Sequence, residues 1–169
     1  PELLGEAVYG LPEKNREKIR KAWLIANPGC YPTAINLGLL PLSDSGLVSP
    51  TSKILVRAIS GYTGAGKEVK IPKTIKSYKS KGGRESQHIP EIEQELGLRE
   101  QLFFYPEIAP WPRGIKAVIY IKISAATDIL NLYQQFYKEL FVRVKSEKAE
   151  IDNVIGTNFC DIYPRINGS

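Results

Sequence analysis

At 169 residues, with 43% hydrophobic and 24% charged residues, the chain has the length and composition of one globular domain, not of a disordered segment. Basic residues outnumber acids 23 to 18, a net charge of +5. No apolar run reaches the roughly 18–20 residues that cross a bilayer, and Pro1-Glu2-Leu3-Leu4 lacks the pattern of a secretory signal. The expectation is a cytoplasmic chain, neither transmembrane nor freshly secreted. Methionine is absent even at position 1, which points to an internal piece of a longer protein. Two cysteines, Cys30 and Cys160, cannot staple a domain of this size and read as reduced thiols. With one histidine, His88, and no C-x-x-C or H-x-x-x-H spacing, no metal site is expected.

In chain order, Glu13 to Lys21 is a polar helical stretch, and Ala22-Trp23-Leu24-Ile25-Ala26 reads as a short buried strand broken by Asn27-Pro28-Gly29. From Thr33 the spacing of Ile35, Leu37, Leu39, Leu40 and Leu42 predicts a buried helix ending between Pro41 and Gly46. Cys30 therefore falls between a strand end and a helix start. A β-branched strand follows over residues 53–59. Residues 73–80 have the composition for a helix. Residues 89–96 read as a short helix, with Pro90 in its first turn and acids suited to the helix dipole. Strands are expected over 102–105 and 115–124. Thr127 or Asp128 caps a helix whose apolar stripe is Ile129, Leu132, Tyr133, Phe136, Tyr137 and Leu140. Strands over 141–145 and 158–162 complete the set. The mixture favours an α+β fold, a mixed and largely antiparallel sheet with helices packed on one face.

The positive charge is concentrated between Lys67 and Arg84, where seven basic residues accompany the single acid Glu68. Such a run is a solvated face, a binder of phosphorylated ligands, or a nucleic-acid surface. Tyr78 is the only aromatic interleaved with it, which is thin for base stacking.

Four constellations carry chemistry. In Asn27-Pro28-Gly29-Cys30-Tyr31-Pro32-Thr33, a thiol meets a helix start, whose dipole and free N–H groups favour a thiolate and can hold an oxyanion. The alternative is a buried structural cysteine. Ser60-Gly61-Tyr62-Thr63-Gly64-Ala65-Gly66-Lys67 fits G-x-x-x-x-G-K, but Glu68 stands where a P-loop needs Ser or Thr. Its glycines can still expose amides to a phosphate or carboxylate, or form a plain turn. His88 is the one residue that titrates near neutrality, and acyl chemistry on sulfur needs a proton carrier. Pro112-Arg113-Gly114 presents an arginine on a rigid turn, able to clamp a carboxylate or to form a surface ion pair.

Together with Tyr9-Gly10-Leu11-Pro12-Glu13, His88-Ile89-Pro90-Glu91-Ile92 and Asn158-Phe159-Cys160-Asp161, these runs resemble the N-acetyl-gamma-glutamyl-phosphate reductase family across nearly the whole chain. The resemblance implies an NADPH-dependent enzyme of arginine biosynthesis. Residues 1–169 would be its catalytic, substrate-binding and dimerisation domain, like the C-terminal domain of glyceraldehyde-3-phosphate dehydrogenases. The NADP-binding Rossmann domain would lie outside this chain. The partners implied are a small-molecule substrate and further copies in a homo-oligomer, dimer or tetramer, with no nucleic acid and no membrane.

The resemblance further implies Cys30 as the nucleophile that forms a thioester and His88 as its acid/base. Asn27, Thr33, Ser60, Gly61 and Arg113 would face the substrate, and Gly64 and Gly66 the cofactor. Ser86, Glu107 and Tyr62 depart from the pattern, the first two standing where the family commonly has histidine. The readings that compete are a reductase of a related acyl phosphate in lysine biosynthesis, a noncatalytic phosphate- or RNA-binding module built on residues 67–84, and a Cys-His hydrolase.

Overall fold

The computed structural model describes residues 2–65, 71–77, 83–125 and 127–166. Strand β1 (Val8–Tyr9) leads into helix α1 (Pro12–Ile19), and β2 (Ile25–Ala26) returns parallel to β1, pairing Tyr9 with Ala26. Helix α2 (Cys30–Asp44) follows at once, then strand β3 (Ile54–Gly61) and the short strand β4 (Lys76–Ser77). After α3 (Ile89–Leu96) come β5 (Leu102–Ala109), β6 (Ile115–Ile121), α4 (Ile129–Phe136), β7 (Val142–Val144) and β8 (Cys160–Ile162). The main sheet runs β4-β5-β3-β6. Within it β3 and β5 are parallel in full register, Ile54 opposite Leu102 and Gly61 opposite Ala109, while β6 and β4 run antiparallel to their neighbours. This is the mixed α+β sheet that the sequence predicts. The two-stranded pairs β1–β2 and β7–β8 are parallel.

Alternation along β3 decides which face is covered. Ile54, Val56 and Ala58 are fully buried, while Leu55 and Arg57 point to the other side. Ile35, Leu39 and Leu40 of α2, Ile89 and Ile92 of α3, and Phe104 of β5 join them in one cluster, with Tyr133 of α4 at its margin. Each such side chain contributes about 1.5–3 kcal/mol on burial. The helices therefore lie on one face. The other face carries Leu55, Tyr105, Val118 and Tyr120, all exposed.

Several elements differ from their sequence reading. The 22–26 segment is a strand only at Ile25–Ala26, and Trp23 and Ile25 are exposed, not buried. Residues 73–77 are not helical. Lys76 and Ser77 pair instead with Ile108 and Glu107 on the edge of β5, where β-branched Thr74 and Ile75 after Pro72 suit an extended chain. Tyr78 to Ser80 lie outside the described residues. Helix α2 begins at Cys30, three residues earlier than its apolar spacing shows, because Tyr31 and Pro32 are buried in the first turn.

Helix α4 stops at Phe136, so Leu140 does not extend its stripe and is exposed. The reason lies in α2. Pro41 sits inside that helix without an N–H, which frees the carbonyl of Leu37 one turn back. Tyr137, extended at the end of α4, donates its hydroxyl to that carbonyl at 2.5 Å, and Tyr133 donates to the carbonyl of Gly38 at 2.5 Å. Burial pushes both phenols well above their ordinary titration, so they stay protonated donors. Tyr137→Phe is expected to destabilise the fold by about 1–3 kcal/mol, since it leaves a buried carbonyl unmet. Denaturant unfolding of the variant beside the parent measures this.

Candidate active site

The chain turns from β2 into α2 through Asn27-Pro28-Gly29, with Gly29 as the extended residue that caps the helix. Cys30 is therefore the first helical residue, and it is exposed. The hydroxyl of Thr33 donates to the carbonyl of Gly29 at 2.9 Å, which closes the first turn on itself. Pro32 has no N–H, and that of Gly29 is taken by Glu91 Oε1 at 2.9 Å, so this helix start offers fewer amides to an oxyanion than an ordinary one. Asn27 is exposed, its amide resting against the carbonyl of Pro28 at 3.4 Å.

The hydrogen bond from Gly29 to Glu91 brings a second helix start to the same place. Glu91 lies in the first turn of α3, and His88 is the residue before that helix. The ring of Tyr31, next in sequence to Cys30, is 5.6 Å from the His88 imidazole and 5.1 Å from Phe104, with His88 and Phe104 6.1 Å apart. The Tyr31 hydroxyl donates to the carbonyl of Glu107 at 3.1 Å. The neighbours of Cys30 on both sides in sequence thus touch the start of α3: Gly29 is bonded to Glu91, and the Tyr31 ring lies tilted at 60° to the His88 imidazole. Half-burial against these rings lowers the His88 pKa from 6.5, and the charge of Glu91 opposes this in part. The imidazole is neutral at neutral pH, the form that accepts a proton.

The glycine-rich loop and the Arg113 turn are also brought together. The N–H of Gly61 donates to Gly114 at 2.9 Å and that of Tyr62 to Trp111 at 3.0 Å. Thr63 binds Pro112 through its N–H at 3.2 Å and its hydroxyl at 2.5 Å. A Cβ on Gly61 would run into the backbone of Pro112 and Arg113, so glycine is required by the close approach of the two loops. Gly61 is the first of three residues so engaged. Its amide and the two that follow are spent on the 111–114 turn and are not presented to a phosphate. Ser60 is buried below them, between Ile108 and Ile115. Arg113 is exposed on the turn so anchored. Gly64 is exposed in the following 3-10 turn. Gly66, Lys67, Lys70, Tyr78, Lys79 and Lys81 lie outside the described residues. Arg84, at the end of the basic run, is held by both oxygens of Glu93 at 2.6 and 3.2 Å and does not serve as a free cation.

The departures from the family pattern have local explanations. Ser86 is buried, and its hydroxyl accepts the His88 N–H at 3.4 Å. Glu107 turns its carboxylate to the outer sheet face, where it takes two hydrogen bonds from Arg57 at 2.8 and 3.1 Å. It offers only its carbonyl to the Cys30 side. Tyr62 is half-buried in the 3-10 turn after β3.

A groove of about 1390 Å³ passes between α2, β6 and the β7–β8 pair. Cys30, Thr33, Gly114 and Ile119 line it, with Cys160 and Asp161. Burial pushes the Cys160 thiol up to about 11, so that sulfur is protonated at neutral pH. Sequence reading missed the contributions of Tyr9, Asn36 and Tyr31. Tyr9 and Tyr31 stood within quoted motifs, but their partners are 82 and 76 residues away.

The family model described as semialdehyde dehydrogenase, dimerisation domain, matches residues 30–169, most of the chain and all of the Cys30–His88 region. The chain belongs to that family. An N-acetyl-gamma-glutamyl-phosphate reductase of Geobacter metallireducens is 44% identical to it over 96% of this chain. A relative of the same name from Citrifermentans bemidjiense is 45% identical over the same share. The chain spans about half the length of these relatives, 51% of each. Among solved structures, aspartate semialdehyde dehydrogenase II of Vibrio cholerae superposes with a TM-score of 0.69 at 12% identity, covering 94% of this chain and 58% of that one. The same enzyme class from Candida albicans, solved with NADP, gives a TM-score of 0.60 at 11% identity over 88% of this chain and 54% of that one. At these identities the two structures establish the semialdehyde dehydrogenase fold for the dimerisation-domain chain. Among the described residues no helix is long and apolar enough to cross a membrane.

Proposed function

We propose that this chain is the catalytic half of a cytoplasmic N-acetyl-gamma-glutamyl-phosphate reductase. The reading is carried by one observation, the joining of the Cys30 helix start to the His88 helix start through Gly29 and Glu91, and the names of its relatives support it. Neutral His88 takes the Cys30 proton, and the thiolate attacks the acyl carbon of N-acetylglutamyl phosphate. The carbon–sulfur bond forms as the carbon–oxygen bond to phosphate breaks, which leaves a thioester on Cys30 and free inorganic phosphate. Arg113, exposed on its anchored turn, holds a substrate carboxylate. Asn27 and Thr33 border the sulfur on the substrate side, and Ser60 supports the loop from below.

The nearest group to a Cβ built on Gly64 would be the Ser60 hydroxyl at 3.9 Å, open space and not a close-fitting turn. In this reading NADPH, the hydride source for reducing the thioester, is held mainly by a nucleotide-binding domain outside these 169 residues. The chain alone therefore carries out acylation without turnover. Incubated with N-acetylglutamyl phosphate, it is expected to release one equivalent of phosphate and to carry the acyl group on the peptide containing Cys30. Multiple turnovers of phosphate with no adduct, or no release at all, would contradict the reading.

The exposed outer sheet face fits a second copy of the chain, in keeping with the family description as a dimerisation domain. Leu55, Val118 and Tyr120 give it an apolar centre, and the Arg57–Glu107 pair adds a neutralised charge beside them. Tyr120→Asp, opposite Leu55 in the strand register, places a carboxylate at that apolar centre and is expected to yield monomers in sedimentation. A variant that sediments as the parent does would exclude this face.

A further inference from the structure

The run Tyr9-Gly10-Leu11-Pro12-Glu13 takes no part in the proposed chemistry, yet Tyr9 stands at the middle of a closed hydrogen-bond circuit around the start of α2. Its hydroxyl donates to Glu91 Oε1 at 2.8 Å, the same oxygen that accepts the Gly29 N–H at 2.9 Å. Asn36 Nδ2, one and a half turns into α2, donates to the Tyr9 hydroxyl at 3.2 Å. The path from Gly29 to Glu91, Tyr9 and Asn36 returns to the helix on which it began. We propose that Tyr9 and Asn36 are positioning residues that act through Glu91 to fix the Cys30 end of α2 against His88. The proposal rests on the reading of Cys30 and His88 as nucleophile and proton carrier.

Three observations support it. Asn36 is completely buried, and its Oδ1 has no hydrogen-bond partner among the described residues. A buried amide with an unmet acceptor costs stability, so what recommends it here is the one bond that its Nδ2 makes. Tyr9 is itself held: its carbonyl accepts Asn15 Nδ2 at 3.2 Å, and its strand pairs with Ala26 just before the Cys30 turn. Burial and the carboxylates of Glu91 and Glu95 keep the phenol protonated, as a donor to Glu91 must be. With both donors on one oxygen, Glu91 has its orientation set from two sides, and it lies three residues beyond His88. Losing the Tyr9 hydroxyl frees Glu91 to turn and with it the backbone amide adjoining Cys30.

The test is the rate at which iodoacetamide labels Cys30 in the 169-residue chain, read by peptide mass spectrometry, with the half-buried Cys160 as an internal reporter of opening. Tyr9→Phe is made in the parent and in a His88→Gln background, and Asn36→Leu serves as a second, apolar probe of the same circuit. A positioning role predicts that Tyr9→Phe slows Cys30 labelling about tenfold when His88 is present and no further when it is absent. Asn36→Leu moves the rate in the same direction, and Cys160 labelling stays at the parental rate. The proposal is overturned if Tyr9→Phe labels as the parent does or slows both backgrounds equally. It is also overturned if Cys160 labelling rises in step, which would mark general loosening. A His88→Gln chain that labels at the parental rate would bring down the proton-carrier reading itself, and this proposal with it.

Discussion

Replacing Cys30 with serine is expected to cut acyl transfer from N-acetylglutamyl phosphate by about 10³-fold or more. The sulfur is exposed at the first position of α2, it lines the groove, and its neighbours on both sides in sequence are tied to the α3 start. A serine hydroxyl in the same place keeps the geometry and loses the nucleophile, because an alcohol is scarcely ionised at neutral pH. Cys160 provides the control. Its thiol, pushed up to about 11 by burial, is ionised in only about one molecule in 10⁴ at neutral pH. Cys160→Ser is expected to leave single-turnover phosphate release near the parental rate. If the two serine variants lost activity equally, the nucleophile would not be Cys30.

The second large effect belongs to His88. His88→Gln keeps a polar side chain at the N-terminal end of α3 but cannot take a proton, and acylation is expected to fall by about 10²–10⁴-fold. Because burial against Tyr31 and Phe104 lowers the imidazole below 6.5, the neutral base persists into mildly acid solution, and the acid limb of the parental rate profile should lie below that value. The same shift has a consequence for stability. Between the lowered folded value and 6.5, the unfolded chain binds a proton that the folded chain does not. The stability attached to neutral His88 is therefore present above 6.5, falls as pH drops through that window, and levels off below the folded value. His88→Gln should remove this share of the acid sensitivity, measurable as a smaller difference in unfolding free energy between neutral and acid pH. An unchanged difference would show that the imidazole is not buried as described.

Local pattern made most of the framework legible in the sequence. The β-branched run over residues 53–59 marked a strand, Pro90 and Glu91 marked the start of α3, and Asp128 caps α4 through the Asn131 amide at 3.1 Å. Cys30 stood out because a Pro-Gly turn preceded an apolar helical spacing. What pattern could not show was long-range pairing. Nothing local says that the Glu91 carboxylate will serve Gly29 and Tyr9 at once, or that α4 will end so that Tyr137 can satisfy a carbonyl left open by Pro41. The packing of the glycine-rich loop was hidden for the same reason. Gly61 makes room for the 111–114 turn, and only the partner loop 50 residues later reveals it. Glu107 was noted as a departure from histidine, while its burden, an ion pair with Arg57 on the opposite sheet face, depended on strand register.

His88 is the only histidine in the chain, so its imidazole resonances need no assignment. Titrating them by NMR, in the free thiol form and after Cys30 has been carboxamidomethylated, tests most directly whether the two residues share one site. The account predicts a midpoint below 6.5 in the free form and a clear displacement of that midpoint once the sulfur is capped. A titration at the ordinary histidine value that ignores the state of Cys30 would contradict it.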